Sequence, residues 1–152
     1  MYAVRSATLE DLTIVVSWIR TADECELWAG TRVAFPIDLA TLPDTIGFEE
    51  QNAYVMVLDG SVIAYGQVLH KPLSRQHLAN FIVSPMHRAH GHGRTFLHEL
   101  LQRATADRVS LNVNEDNSVA MALYVAVGFT PAQKSLDQRS SPRTHYMERK
   151  RS

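Results

Sequence analysis

The feature that most constrains the fold is a strand, a glycine-rich loop and a helix in succession between residues 78 and 106. Residues 78–83 are a short apolar run closed by Ser84 and Pro85, which predicts a buried strand. The loop contains Gly91 and Gly93. Apolar residues then recur at helical spacing and predict an amphipathic helix: Phe96, Leu97, Leu100, Leu101 and Ala104.

A strand that leads through glycines into a helix N-terminus is suited to binding an anion. The first N–H groups of a helix lack intrahelical partners, the macrodipole favours negative charge, and glycine lets a pyrophosphate approach the backbone. Arg88 and Arg94 flank the loop and can add charge-assisted hydrogen bonds. Taken alone, the pattern also fits an ordinary strand-to-helix turn.

Two motifs resemble the signatures of the GNAT superfamily of N-acyltransferases. Residues 88–93, RAHGHG (the glycine loop), resemble R/Q-x-x-G-x-G/A, the loop that binds the acyl-CoA pyrophosphate. Residues 117–129 resemble N-x-x-A-x-x-L-Y-x-x-x-G-F at every fixed position: Asn117, Ala120, Leu123, Tyr124, Gly128 and Phe129. The pattern is nearest to ribosomal-protein alanine N-acetyltransferases, and the resemblance covers the chain from Tyr2 to about Lys150.

The resemblance implies acetyl-CoA as co-substrate. Its pyrophosphate would lie on the glycine loop, and its pantetheine arm would pair with the preceding strand. Asn117 would hydrogen-bond the pantetheine or position a water molecule. Tyr124 would protonate the leaving thiolate. The implied cofactor-binding residues are Phe81, Ile82, Val83, Arg88, Ala89, His90, Gly91, His92, Gly93, Arg94, Asn117 and Tyr124.

Elsewhere the pattern predicts strands at 2–6, 53–58, 62–69, 108–113, 129–136 and 144–150, with a hairpin turn at 59–61. Helices are predicted from Thr8, over 24–30 and 117–127, and over 38–50 with an interruption near Pro43. This order predicts an α/β fold, a mixed sheet of about six to seven strands with helices on both faces. The order also resembles that of GNAT proteins, and the resemblance implies a GNAT-like splayed central sheet in which the strand before the glycine loop parts from the next parallel strand. Residues 1–152 are expected to form a single domain.

The general base is where the sequence departs from its relatives. The ribosomal-protein alanine N-acetyltransferases carry a glutamate at the position of Asn112, and an amide cannot act as a base. Histone acetyltransferases place a glutamate at the start of the central strand, which corresponds to His77 here. A histidine has a suitable pKa for the task. His77 is therefore the predicted base, with a water chain and other groups open as alternatives: His70, Glu24, Glu26, Glu49 and Glu50.

The acceptor side is predicted from charge. Residues 23–50 (the acidic segment) carry seven carboxylates against Arg32, and an acidic surface attracts a cationic amine. A solvated helix face is the alternative. Trp28, with Trp18, resembles a tryptophan pair of aminoglycoside 6′-N-acetyltransferases and is the expected pocket residue. The predicted substrate-binding residues are Trp28, Glu24 and Glu26.

Composition and spacing limit other functions. A net charge of −1 gives no overall sign of nucleic acid as a partner, and no apolar run approaches membrane-spanning length. The lone Cys25 suits a reducing compartment, so we expect a cytoplasmic location. The sequence leaves both a monomer and a homodimer open. No metal is expected, since no cysteine or carboxylate lies within the histidine cluster to complete a ligand set: His87, His90, His92 and His98.

The predicted activity is acetyl transfer from acetyl-CoA directly to a primary amine, with a small cationic amine favoured and no covalent enzyme intermediate. Two alternatives remain. One is a peptide or protein N-terminal or lysine acetyltransferase. The other is a non-catalytic acyl-CoA-binding regulatory module, which the amide at Asn112 keeps open.

Overall fold

The computed structural model describes residues 1–133 and 143–151. Within these residues the strands are β1 (Tyr2–Ser6), β2 (Ala53–Leu58), β3 (Ser61–Lys71), β4 (Arg75–Val83), β5 (Arg108–Asn114), β6 (Thr130–Pro131) and β7 (Thr144–Lys150). The α-helices are α1 (Leu9–Ser17), α2 (Ala22–Ala29), α3 (Leu42–Thr45), α4 (His92–Arg103) and α5 (Ser118–Ala126). None of the described helices is long and apolar enough to cross a membrane.

The described strands form one mixed sheet in the order β1-β2-β3-β4-β5-β7-β6. The β4–β5 pair is parallel and the other neighbouring pairs are antiparallel. The sequence-based expectation of a mixed α/β sheet is confirmed. The predicted hairpin is also confirmed: β2 and β3 meet at Asp59 and Gly60, whose φ angles of 49° and 85° suit a tight two-residue turn.

Two apolar cores hold the helices to opposite faces of the sheet. On one face, Phe96, Leu97 and Leu100 of α4 and Tyr124 of α5 pack into a single cluster with β-strand residues. On the other, residues of α1, α2 and α3 pack with the other face of β2 and β3: Leu12, Val15, Cys25, Trp28, Leu42, Val55 and Tyr65. The amphipathic pattern predicted for α4 is therefore confirmed: Phe96, Leu97 and Leu100 are fully buried, and Leu101 is partly buried against them.

Local sequence signals set several helix ends. Thr8 and Thr21 each form a capping box, with Asp11 and Glu24 three residues later. Asn117 caps α5 by accepting a hydrogen bond from the Ala120 N–H at 3.3 Å. Gly128 follows α5 with a φ of 102°, a conformation that glycine adopts readily.

Two predicted elements are wrong in extent. The helix expected over 38–50 is only the single turn α3, because Pro43 lies in its first turn and the backbone reverses at Gly47 with a φ of 64°. The strand expected over 129–136 is the two-residue β6, and residues 134–136 fall outside the described residues. β4 begins at Arg75, earlier than the apolar run, because its first residues pair with both β3 and β5.

The parallel pairing of β4 with β5 is short. It runs from Arg75 opposite Arg108 to Leu78 opposite Leu111, and beyond Leu78 the two strands are no longer neighbours. β4 continues to Val83 along β3, while β5 continues to Asn114 along β7. The two strands therefore part, as the sequence analysis expected, and one edge of β4 beyond Leu78 has no strand beside it among residues 1–133 and 143–151.

Close packing at Gly66 gives a stability prediction. A Cβ built on Gly66 would lie 2.8 Å from Leu100 Cδ1 and 3.5 Å from the rings of Phe81 and Phe96. Gly66→Ala should therefore lower the free energy of unfolding by about 1–3 kcal/mol, measured by urea denaturation. Combining it with Leu100→Val, which removes the clashing methyl, should cost less than the sum of the two single changes. If the two changes in unfolding free energy simply add, the contact between residue 66 and Leu100 does not limit packing.

Candidate active site

The glycine loop has the geometry of an anion site. Ala89 and Gly91 have φ angles of 65° and 82°, and α4 begins at His92. The first helical hydrogen bond is donated by the Thr95 N–H to the Gly91 carbonyl at 3.2 Å, so the earlier N–H groups of the helix point out of its end. The macrodipole adds partial positive charge at the same place.

The loop is held against β4 and α5. A Cβ on Gly93 would lie 3.4 Å from Val83 Cγ2 and 3.7 Å from Leu123 Cδ2. Arg88 Nε donates a hydrogen bond to the Val83 carbonyl at 3.0 Å, which ties the loop to the end of β4. Arg94 is exposed in the first turn of α4. Of the two arginines expected at the pyrophosphate, Arg88 thus also shapes the loop.

Three histidine rings lie close together in and next to the glycine loop. The ring centroids of His87 and His92 are 6.3 Å apart, and those of His90 and His92 are 6.2 Å apart. Among the described residues, no group of three or more histidine, cysteine, aspartate or glutamate side chains is arranged to hold a metal ion. Each of these rings can instead offer an N–H donor near a bound anion.

Tyr124 lies beside the parted segment of β4. Its ring makes edge contacts with Phe81 and Phe129, at centroid distances of 6.3 and 5.9 Å. The residue is buried, and this burial raises the pKa of the Tyr124 hydroxyl above its ordinary value. The phenol therefore keeps its proton well above neutral pH and is able to donate it. Phe81, Ile82 and Val83 are half-buried along the same segment.

His77 stands at the joined end of β4 and β5, one residue before their last pair. Its Nδ1 is 2.8 Å from Ser110 Oγ on β5, and Ser110 Oγ also accepts a hydrogen bond from Arg75 at 2.6 Å. The half-buried ring is thus held in place by a neighbouring strand. Its role as the base stays a prediction.

The sequence analysis missed Glu148, a carboxylate on β7, which is the strand next to β5. Ser110 is opposite Glu148 on β7, and Asn112 is opposite Tyr146. Glu148 Oε2 accepts hydrogen bonds from the Tyr146 hydroxyl at 2.6 Å and from Arg108 at 2.9 Å. Side chains alternate along β7, so Tyr146 and Glu148 lie on the same face of the sheet. The long-range pairing of β7 with β5 brings them beside Asn112, whose side chain is exposed.

The predicted substrate-binding residues have clear structural partners. Trp28 is 6% exposed, and its indole N–H donates to the Asn80 carbonyl at 2.7 Å. Glu24 Oε1 accepts from the backbone N–H groups of Arg20 and Thr21 at 2.8 and 3.2 Å, within the α2 capping box. Glu26 Oε2 lies 3.7 Å from Arg143. Each of these residues therefore has a structural contact, and its role in substrate binding stays a prediction.

The family of the chain follows from comparison with known proteins. The sequence profile of the Acetyltransferase (GNAT) family matches residues 17–129, which include the glycine loop, the parted strands and Tyr124. The chain belongs to this family. An uncharacterized protein of Mycobacterium leprae (strain TN) is 40% identical over 60 residues, which are 40% of this chain and 17% of that protein. The chain therefore spans a small part of this relative.

Solved structures share the fold over nearly the whole chain. The ribosomal-protein-S18-alanine N-acetyltransferase from Escherichia coli has a TM-score of 0.72 at 22% identity, covering 99% of this chain and 94% of that one. AAC(6')-Ib in complex with paromomycin and acetyl-CoA has a TM-score of 0.69 at 17% identity, covering 99% and 93%. N-acetylglutamate synthase from Neisseria gonorrhoeae, complexed with coenzyme A and N-acetyl-glutamate, has a TM-score of 0.74 at 17% identity, covering 99% and 35%.

The geometry of the glycine loop gives a binding prediction. Arg94→Ala should raise the Kd for acetyl-CoA roughly fivefold, because an exposed arginine at the helix N-terminus contributes about 1 kcal/mol toward a phosphate. Isothermal titration calorimetry measures this. Arg103→Ala, at the other end of the same helix, is the matched control and should leave the Kd unchanged. Equal effects of the two changes would argue against an anion at the glycine loop.

Proposed function

We propose that this chain transfers an acetyl group from acetyl-CoA directly to a primary amine within a ternary complex. One observation carries the proposal: in the described part of the chain, β4 leaves β5 after Leu78 and runs to the glycine loop with Tyr124 beside it. A pyrophosphate on the loop would leave the pantetheine arm to run along Phe81, Ile82 and Val83. Such an extended arm can hydrogen-bond to the strand backbone as another strand would.

The chemistry follows from this placement. A backbone N–H of parted β4 would polarise the thioester carbonyl and stabilise the oxyanion that develops on attack. The neutral amine attacks the carbonyl carbon, the C–S bond breaks, and Tyr124 gives its proton to the departing thiolate. The proton lost by the amine goes to a base or to water, and His77 remains our proposed base. Nothing in this sequence of steps requires a covalent enzyme intermediate.

For the acceptor, we propose a cationic molecule that carries a primary amine. Glu24 and Glu26 already have structural partners, but five other carboxylates of the acidic segment are exposed: Asp23, Asp38, Asp44, Glu49 and Glu50. They would attract positive charge toward this side of the protein. A peptide N-terminus is the second candidate. The buried Cys25 thiol suits the cytoplasmic location that we propose.

The regulatory alternative is favoured by one observation. Asn112 presents a neutral, exposed amide at the position where alanine-acetylating relatives carry a glutamate. A module that only binds acyl-CoA has no need of a base or of a proton donor. The presence of Tyr124, buried against the parted segment, favours the catalytic proposal over it.

Thiol release from acetyl-CoA, measured with a panel of amines, tests the proposed activity. The panel contains polyamines, aminoglycosides, amino acids and peptides with different N-termini. We expect the turnover rate to rise with pH as the amine loses its proton. Deprotonation of Tyr124 should not lower the rate below about pH 10, because burial raises the pKa of that hydroxyl. Tight binding of acetyl-CoA without turnover on any amine would instead support the regulatory module.

Removing the Tyr124 hydroxyl tests its role. Tyr124→Phe should lower kcat by about 10²-fold or more, because it removes the proton donor for the thiolate, while acetyl-CoA affinity changes little. Tyr2→Phe, at an exposed tyrosine of β1, is the control. Turnover equal to that of the unmodified protein would assign Tyr124 to packing alone.

A further inference from the structure

β4 contains an irregularity at Asn80, two residues beyond its last pair with β5. Asn80 has a φ of 56°, a left-handed conformation inside a strand, and the β3–β4 register shifts at the same place, between Tyr65 and Gln67. This is a β-bulge, which redirects side chains and is common next to active sites. Asparagine tolerates the left-handed region better than other non-glycine residues.

Two contacts with α2 orient the Asn80 side chain. The Trp28 indole N–H donates to the Asn80 carbonyl at 2.7 Å, and Asn80 Nδ2 donates to the Trp28 carbonyl at 3.5 Å. A backbone carbonyl only accepts hydrogen bonds, so the NH₂ group of the side chain must face Trp28. The direction of the other amide atom, Oδ1, is thereby set.

Asn80 Oδ1 is buried and has no hydrogen-bond partner among residues 1–133 and 143–151. A buried carbonyl oxygen without a donor is unfavourable, and such atoms in native proteins call for an explanation. An amide oxygen is purely an acceptor, so the group that satisfies it must carry an N–H or O–H.

The position of Asn80 fits the arrival of an amine. The next residue, Phe81, contacts Tyr124 on the α4–α5 face of the sheet, whereas Asn80 contacts Trp28 on the α2 face. At the bulge, the face with Tyr124, the proposed proton donor to the thiolate, is thus opposite the face with α2, which belongs to the acidic segment. An amine bound at the parted segment of β4 would therefore have Asn80 on the α2 side and Tyr124 on the other side.

We propose that Asn80 Oδ1 accepts a hydrogen bond from the acceptor amine, and that its buried surroundings favour the uncharged form of that amine. The inference rests on the proposed function and adds a residue that positions the nucleophile. An ammonium would also donate to this oxygen, but an amide carries no charge that could offset the loss of the ammonium's hydration in a buried site, so desolvation favours the neutral amine.

This chemistry defines the class of the reacting nitrogen. At pH 7.5 roughly a quarter of a typical α-amino group is neutral, against roughly 0.1% of an alkylammonium. A site built on neutral acceptors therefore favours an amine of low pKa, such as the N-terminus of a peptide. Positive charge elsewhere in the same molecule would still be attracted by the acidic segment, so a basic peptide N-terminus satisfies both features.

Asn80→Gly tests the side chain while keeping the backbone, because glycine adopts a φ of 56° without strain. Steady-state thiol release should show a fall in kcat/KM for a peptide α-amine of roughly five- to twentyfold, with the KM for acetyl-CoA within twofold. Ser74→Gly is the matched control, at an exposed left-handed residue of the β3–β4 turn with a φ of 54°, and should change neither constant.

Asn80→Asp tests the proposal through the pH profile of kcat, which would not change if Asn80 had a purely structural role. A carboxylate stabilises the bound ammonium, so the acid limb of the kcat profile should shift by about one pH unit to higher pH. This profile decides the matter if Asn80→Gly folds poorly. An unshifted profile, or Asn80→Gly kinetics equal to those of the unmodified protein, would overturn the proposal while leaving the activity standing. Absence of transfer by the unmodified protein would refute the proposed function itself.

Discussion

The early end of the β4–β5 pairing is the constraint on which the site depends. Parallel strands ordinarily remain paired along their length, and the backbone groups that β4 leaves unpaired beyond Leu78 need other partners. The separation is supported from one face by ring contacts. Phe81 stacks on Phe96 of α4 at 5.6 Å and meets Tyr124 of α5 edge-on. The helices that form the glycine loop and carry Tyr124 are therefore fixed to the same segment of strand.

The opposite face is fixed at the same point by α2. Trp28 bonds the carbonyl of Asn80, packs edge-on against Tyr65 at 6.4 Å, and is almost fully buried. On the α4 face, Gly66 allows close packing beneath the bulge, because a side chain there would collide with Leu100. The bulge is thus held from both faces of the sheet, and a backbone that is held rigidly can stabilise developing charge without reorganising.

The sequence could predict the features that depend on near neighbours. The glycine loop, the Asn117 cap, the 59–60 turn and the parting of the strands follow from local patterns or from motif resemblance. The Thr21–Glu24 capping box was also readable, since Thr-x-x-Glu before a helix has a local mechanism, and it gives Glu24 a structural role that charge counting missed.

Features set by distant pairing could not be predicted in this way. Asn80 lies within an apolar run and resembles an ordinary strand residue until β3 and α2 are placed beside it. Glu148 joins Ser110 and Asn112 only through the β5–β7 register, 38 residues along the chain from Ser110 (148 − 110). A one-residue change of register would turn each of these side chains to the other face of the sheet.

The proposed reaction centre relies on neutral groups, which explains how a chain with Asn112 in place of a glutamate can still support acyl transfer. Tyr124 is held protonated by burial, and Asn80 offers an amide oxygen. Attack by a neutral amine creates both charges of the tetrahedral intermediate within the site itself. Backbone dipoles then suffice for the oxyanion, and a weak base such as an imidazole or water suffices for the proton, because the nitrogen becomes strongly acidic only after it has attacked.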